Sequence, residues 1–260
     1  MVNRIPYRKM LLLLLTLIIS CNQGDIDKRK NNEDKNSLVY VYYDITEGLS
    51  NKTKHEYLQS IDDICKLMDI NPKEEYGGAG YGEIHISFLN YEYFEKPLLL
   101  SVERRDKSET SFYYQKIIGN FITSLKDTLG YILNKPLTKL DTTSSVIIKH
   151  IFDGLGELEE SHYKTKVMII FSDMVEHNPQ AGISFISGGL SEKNFDSTIK
   201  SIENIYKIKI PKPEELSDVS IFIIRPDHER YRKQRLIVEE FWKYVFGKNC
   251  KYQSIFNSTI

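Results

Sequence analysis

Between Lys166 and Ser172 the chain reads Val-Met-Ile-Ile-Phe, an apolar run closed by a lysine on one side and by Ser172-Asp173 on the other. A run so short, with no polar position left to face water, is a strand covered on both faces, as in parallel sheets that carry helices above and below. That segment obliges the rest of the chain to supply two layers of helix.

The flanking sequence supplies them. Residues 38–43 (Leu-Val-Tyr-Val-Tyr-Tyr) and 219–224 are further β-favouring apolar runs. Residues 83–90 alternate Ile84, Ile86 and Phe88 with His85 and Ser87; 98–103 is another extended piece, and 251–256 a short edge strand. Apolar side chains recur at helical spacing through 54–68, 112–133, 144–158, 193–208 and 227–246. Strands alternating with helices give an α/β class, a doubly wound, mainly parallel sheet flanked by helices in the Rossmann-like manner. Gly77, Gly78, Gly80 and Gly82 precede a strand instead of opening a helix, so they read as a flexible surface loop and not as a phosphate cradle.

Open sheets of this kind bind ligands beyond the carboxyl ends of their strands, where strand order reverses. After the first strand stands Asp44-Ile45-Thr46-Glu47-Gly48-Leu49-Ser50, and after the apolar central strand stands Ser172-Asp173-Met174. A third segment, Asp141-Thr142-Thr143-Ser144-Ser145, opens the helix that feeds that central strand. Carboxylates and hydroxyls are hard oxygen donors, the set that Mg²⁺ or Ca²⁺ prefers. The same residue types also serve as ordinary helix caps and turn formers.

In order and placement these residues resemble the von Willebrand factor A (VWA) family, whose metal-ion-dependent adhesion site (MIDAS) joins a D-x-S-x-S turn, a loop threonine and an aspartate after the fourth strand. The resemblance covers most of residues 38–246. It implies one VWA-like domain over 38–260, with Mg²⁺, Mn²⁺ or Ca²⁺ held by Asp44, Thr46, Thr143 and Asp173, and with Ser50 and Thr142 as alternative donors. The family's second serine falls on Gly48, which has no side chain, so one direct ligand is missing unless Ser50 supplies it.

The N-terminus carries a different message. Arg4, Arg8 and Lys9 precede an apolar run from Met10 to Ile19, then Ser20 and Cys21, the charged, apolar and small-residue order of a secretory signal. The run is about half the roughly 20 residues a spanning helix needs. Ile18-Ile19-Ser20-Cys21 resembles the lipobox of bacterial lipoproteins, which implies a signal peptide over 1–20 and a mature chain lipidated at Cys21 on the cell envelope. The outer membrane, on its periplasmic or surface side, is the expected location. Several acyl chains, at about 0.8 kcal/mol per buried methylene, hold such an anchor firmly. Residues 21–37 are nearly all polar or charged and form a disordered tether.

A formal charge of −1, from 35 basic and 36 acidic side chains, excludes an electrostatic case for nucleic acid. With Cys21 lipidated, Cys65 and Cys250 remain. Cys65 lies in the apolar stripe of Leu58, Ile61, Ile64 and Met68, which favours a buried free thiol over a disulfide. The chain has no G-x-S-x-G elbow, no H-E-x-x-H helix and no Walker-type loop. The resemblance to the VWA family implies, as the expected function, non-enzymatic capture of a protein partner. A metal-free scaffold of the same fold and a metal-assisted hydrolase stand as rival readings.

Overall fold

Residues 36–45, 50–71, 80–89, 97–103, 111–134, 147–179, 181–186, 190–225 and 232–253 are described by a computed structural model. The signal, Cys21 and most of the tether, Thr46, Gly48, Gly77, Gly78, Thr142 and Thr143 lie outside the described residues. In chain order the elements are β1 (Asn36–Tyr43), α1 (Asn51–Leu67), β2 (Tyr81–Phe88), β3 (Leu98–Val102), α2 (Ser111–Asn134), α3 (Ile147–Glu160), β4 (Thr165–Phe171), the two-residue strands β5 (His177–Asn178) and β6 (Ile183–Ser184), α4 (Phe195–Tyr206), β7 (Val219–Ile224), α5 (Arg232–Phe246) and β8 (Cys250–Gln253).

The six-stranded sheet has the order β3-β2-β1-β4-β7-β8. β1 is parallel to β2 and β4, β4 to β7, and β7 to β8, while β3 runs antiparallel at the edge. From β1 the chain builds outward through β2 and β3. It then returns to lay β4 on the other side of β1 and builds outward again through β7 and β8. The reversal falls between β1 and β4, and the sheet is doubly wound as expected.

Alternation along the strands sorts the core into two layers, because successive side chains point to opposite faces. Val39, Val41 and Tyr43 of β1 join Val167, Ile169 and Phe171 of β4 in the layer covered by α1 and α2. Tyr40, Tyr42, Met168 and Ile170 join the layer covered by α3, α4 and α5, where Trp242 and Phe246 are fully buried. The central run 167–171 is buried on both faces, the property its composition requires.

Several boundaries differ from the sequence reading. Asn36 and Ser37 belong to β1 and not to the tether: Ser37 pairs with Gly82 on one side and Thr165 on the other. The small β5–β6 hairpin carries no apolar alternation by which to anticipate it. Cys65 and Cys250 are free thiols packed in opposite core layers, so the sheet separates them; burial pushes both up to about 12. Gly82, read as part of a flexible loop, lies within β2 at φ +139, and a Cβ there would overlap the carbonyl oxygen of Ser37. That position needs glycine, since an L side chain rarely adopts this backbone and the neighbouring strand occupies the space.

Candidate functional site at the strand-order reversal

The candidate site grows from the way β1 and β4 end. The Asp44 N–H donates to the Phe171 carbonyl at 2.8 Å, and the Ser172 N–H donates to the Ile224 carbonyl at 3.1 Å. Sheet pairing thus continues one residue beyond each strand, and Asp44 and Ser172 come out side by side at the reversal point. The Ser172 hydroxyl donates to Asp44 Oδ2 at 2.7 Å and accepts the Met174 N–H at 2.9 Å. Ser172 is fully buried and its hydroxyl is engaged on both counts, so it works as a strut and not as a presented nucleophile.

Asp173 comes next, half-buried, with its Oδ1 accepting the Val175 N–H at 3.0 Å in a side-chain turn. Met174 follows at φ +63, a left-handed conformation unusual for a non-glycine residue. It is held there from two directions: its side chain is fully buried, and its carbonyl accepts the Trp242 Nε1–H of α5 at 3.1 Å.

An aromatic floor lies beneath. Tyr43 and Phe171, partners in register, stack at 4.8 Å, and Tyr57 of α1 packs 5.1 Å from Phe171 and donates its hydroxyl to the Phe171 carbonyl at 3.4 Å. Burial, with the negative charges of Asp44 and Asp173 adding to it, holds Tyr57 well above its ordinary pKa. The phenol therefore stays protonated and donates to the Phe171 carbonyl beneath the strand ends.

Of the residues expected to hold a metal, Asp44 and Asp173 fall at the two adjacent strand ends. Ser50 is instead the N-cap of α1, accepting the Thr53 N–H at 3.0 Å and sharing a 2.8 Å hydrogen bond with the Thr53 hydroxyl. Thr46, Thr142 and Thr143 lie outside the described residues. The donors in view, two carboxylates backed by hydroxyls, suit a hard divalent cation in chemical type. Among the described residues, however, no group of three or more His, Cys, Asp and Glu side chains converges on one point, so Asp44 and Asp173 alone do not complete a coordination sphere.

One residue of the site escaped the sequence reading. Glu176, three positions past Asp173, is fully buried. Its Oε2 accepts the N–H groups of Ile147 at 2.7 Å and Ile148 at 3.2 Å, the first residues of α3, and its Oε1 accepts the Tyr206 hydroxyl at 2.7 Å. Burial pushes the carboxyl up to about 7; its hydrogen bonds pull the other way, and the charge of Asp44 reinforces the rise. The only trace in sequence is an acidic residue directly following Met174-Val175, and a helix cap supplied from 29 residues away has no local pattern.

No protein-family model matches the chain, and no curated protein matches it in sequence. Solved structures similar to it include the human COPII-coat protein Sec24c, at 9% identity and a TM-score of 0.40 over 85% of this chain and 29% of that one. Others are the mussel-byssus proximal thread matrix protein 1 with a zinc-occupied MIDAS motif (10% identity, TM-score 0.32, 85% of this chain, 44% of that one) and the SpRpn10 VWA domain (12% identity, TM-score 0.33, 85% and 87%). The chain spans less than half the length of the first two. The fold class rests on this chain's own strand order and register, with Asp44 and Asp173 at the point where the order reverses.

Proposed function

We propose that this chain is a VWA-type binding module that captures a protein partner at the carboxyl edge of β1 and β4, without catalysing a reaction. The observation that carries this reading is the pairing of Asp44 and Asp173 at the strand-order reversal, linked through Ser172. Half-buried carboxylates at the rim of a rigid sheet suit recognition through a divalent cation. Asp44 and Asp173 would supply two ligands, Thr46 and Thr143 or Thr142 would supply hydroxyls, and an acidic group of the partner would complete the shell. When bound, the ion would bridge two oxygen-rich surfaces. The chain's own contribution is to hold the two carboxylates on adjacent strands.

The deciding experiment titrates the protein with Mg²⁺, Mn²⁺ and Ca²⁺ by calorimetry beside an Asp44→Ala/Asp173→Ala double variant. Saturable binding by the wild type and its loss in the variant support a metal-dependent module. Absence of binding at millimolar metal moves the reading to a metal-free interaction scaffold.

The module would be held on the bacterial envelope by lipid at Cys21. Among the described residues no helix is long and apolar enough to cross a membrane. Full-length protein should partition into the detergent phase, and Cys21→Ser should return it to the aqueous phase. Equal partitioning of the two would remove the anchor from this account.

A further inference from the structure

Glu176 occupies a junction that helix capping alone does not explain. Through one buried carboxylate it binds the first two amides of α3 and the last residue of α4, Tyr206. Through its backbone carbonyl it accepts the Phe185 N–H at 2.8 Å, just past β6. Asn178 of β5 donates to the same Tyr206 hydroxyl at 3.1 Å, so that hydroxyl is oriented toward the carboxylate. Three residues earlier in the chain the Asp173 turn is closed by the Met174 and Val175 amides. The segment from Ser172 to Glu176 is thus fastened at one end to Asp44 and at the other to α3 and α4.

We infer that Glu176 is the positioning residue of the site, its buried side chain fastening the Asp173 turn to the first turn of α3 so that the two are set as one unit. The two amides it receives belong to the first turn of α3, where backbone N–H groups have no intrahelical partner. Full burial and a fixed phenol partner leave the carboxylate a single orientation. The geometry of Asp173 relative to Asp44 then depends on where α3 begins. The functional meaning of this coupling rests on the reading of Asp44 and Asp173 as the binding site.

Amide hydrogen exchange on the full chain tests the coupling without any ligand. Glu176→Ala should speed exchange about tenfold or more at Ile147 and Ile148 and, equally, at Met174 and Val175, whose amides close the Asp173 turn. Glu176→Gln, which keeps a carbonyl oxygen for the α3 amides, should restore both sets most of the way. Acceleration confined to Ile147 and Ile148 would make Glu176 a plain helix cap and overturn the inference. Should Glu176→Ala fail to fold, Tyr206→Phe removes one hydrogen bond to the carboxylate and no charge: several-fold faster exchange at both sets supports the coupling, and a change at one set or neither overturns it. Mn²⁺ titration of the same proteins separates the two readings. A wild type that binds no Mn²⁺ counts against the metal-dependent function, while the exchange pattern still decides the role of Glu176.

Discussion

Ser172 Oγ donates to Asp44 Oδ2 at 2.7 Å across the seam between β4 and β1, from which strand order runs outward in both directions. A buried hydroxyl donating to a half-buried carboxylate fixes which way that carboxylate points. Ser172→Ala removes the donor and also the acceptor of the Met174 amide. The expected cost is about 1–3 kcal/mol in urea unfolding, the range for stranding buried polar groups. If Asp44 and Asp173 form the metal site, the variant should also bind Mn²⁺ more weakly than wild type. A variant as stable as the wild type would show that the hydrogen bond contributes nothing net.

Glu176 makes stability depend on pH in an unusual direction for a carboxylate. Its pKa rises from the usual 4.5 to about 7 in the fold, chiefly through burial. Below about pH 4.5 both folded and unfolded chains hold the proton; between 4.5 and about 7 the folded chain keeps a proton that the unfolded chain has released. Stability from this group therefore falls as pH rises through that window and levels off above it, by roughly 3 kcal/mol in all. Glu176→Gln has no such proton. The unfolding free energy of the wild type should fall relative to that of the variant across the window, and a difference that stays constant would contradict the assignment.

Gly82 offers a test of the sheet itself. At φ +139 with the Ser37 carbonyl in the place of a Cβ, Gly82→Ala must either displace β1 or strain β2. A loss of about 2 kcal/mol or more is expected from the backbone strain and the forced movement together. Thermal unfolding of the variant measures it. If Gly82 belonged to a flexible loop, the substitution would be neutral or slightly stabilising.

The doubly wound class was legible in the chain because it depends on local periodicity. The burial of 167–171 on both faces, the alternation in β2 and the helical stripes are each written in a few consecutive residues. The position of Asp44 and Asp173 at strand ends follows from the same runs, since each apolar run stops at its polar neighbour.

The main strands and helices, their order and the two aspartates at the carboxyl edge are therefore legible along the chain, while the β5–β6 hairpin is not. Contacts across the fold decided the antiparallel pairing of β3, the separation of Cys65 from Cys250 by the sheet, and the burial of Glu176. Each of these depends on residues distant in sequence. The Ser172–Asp44 bond spans 128 positions and the Glu176–Ile147 bond spans 29. Periodicity is a property of neighbours along the chain, whereas a hydrogen bond between strand ends exists only once the sheet has brought them together.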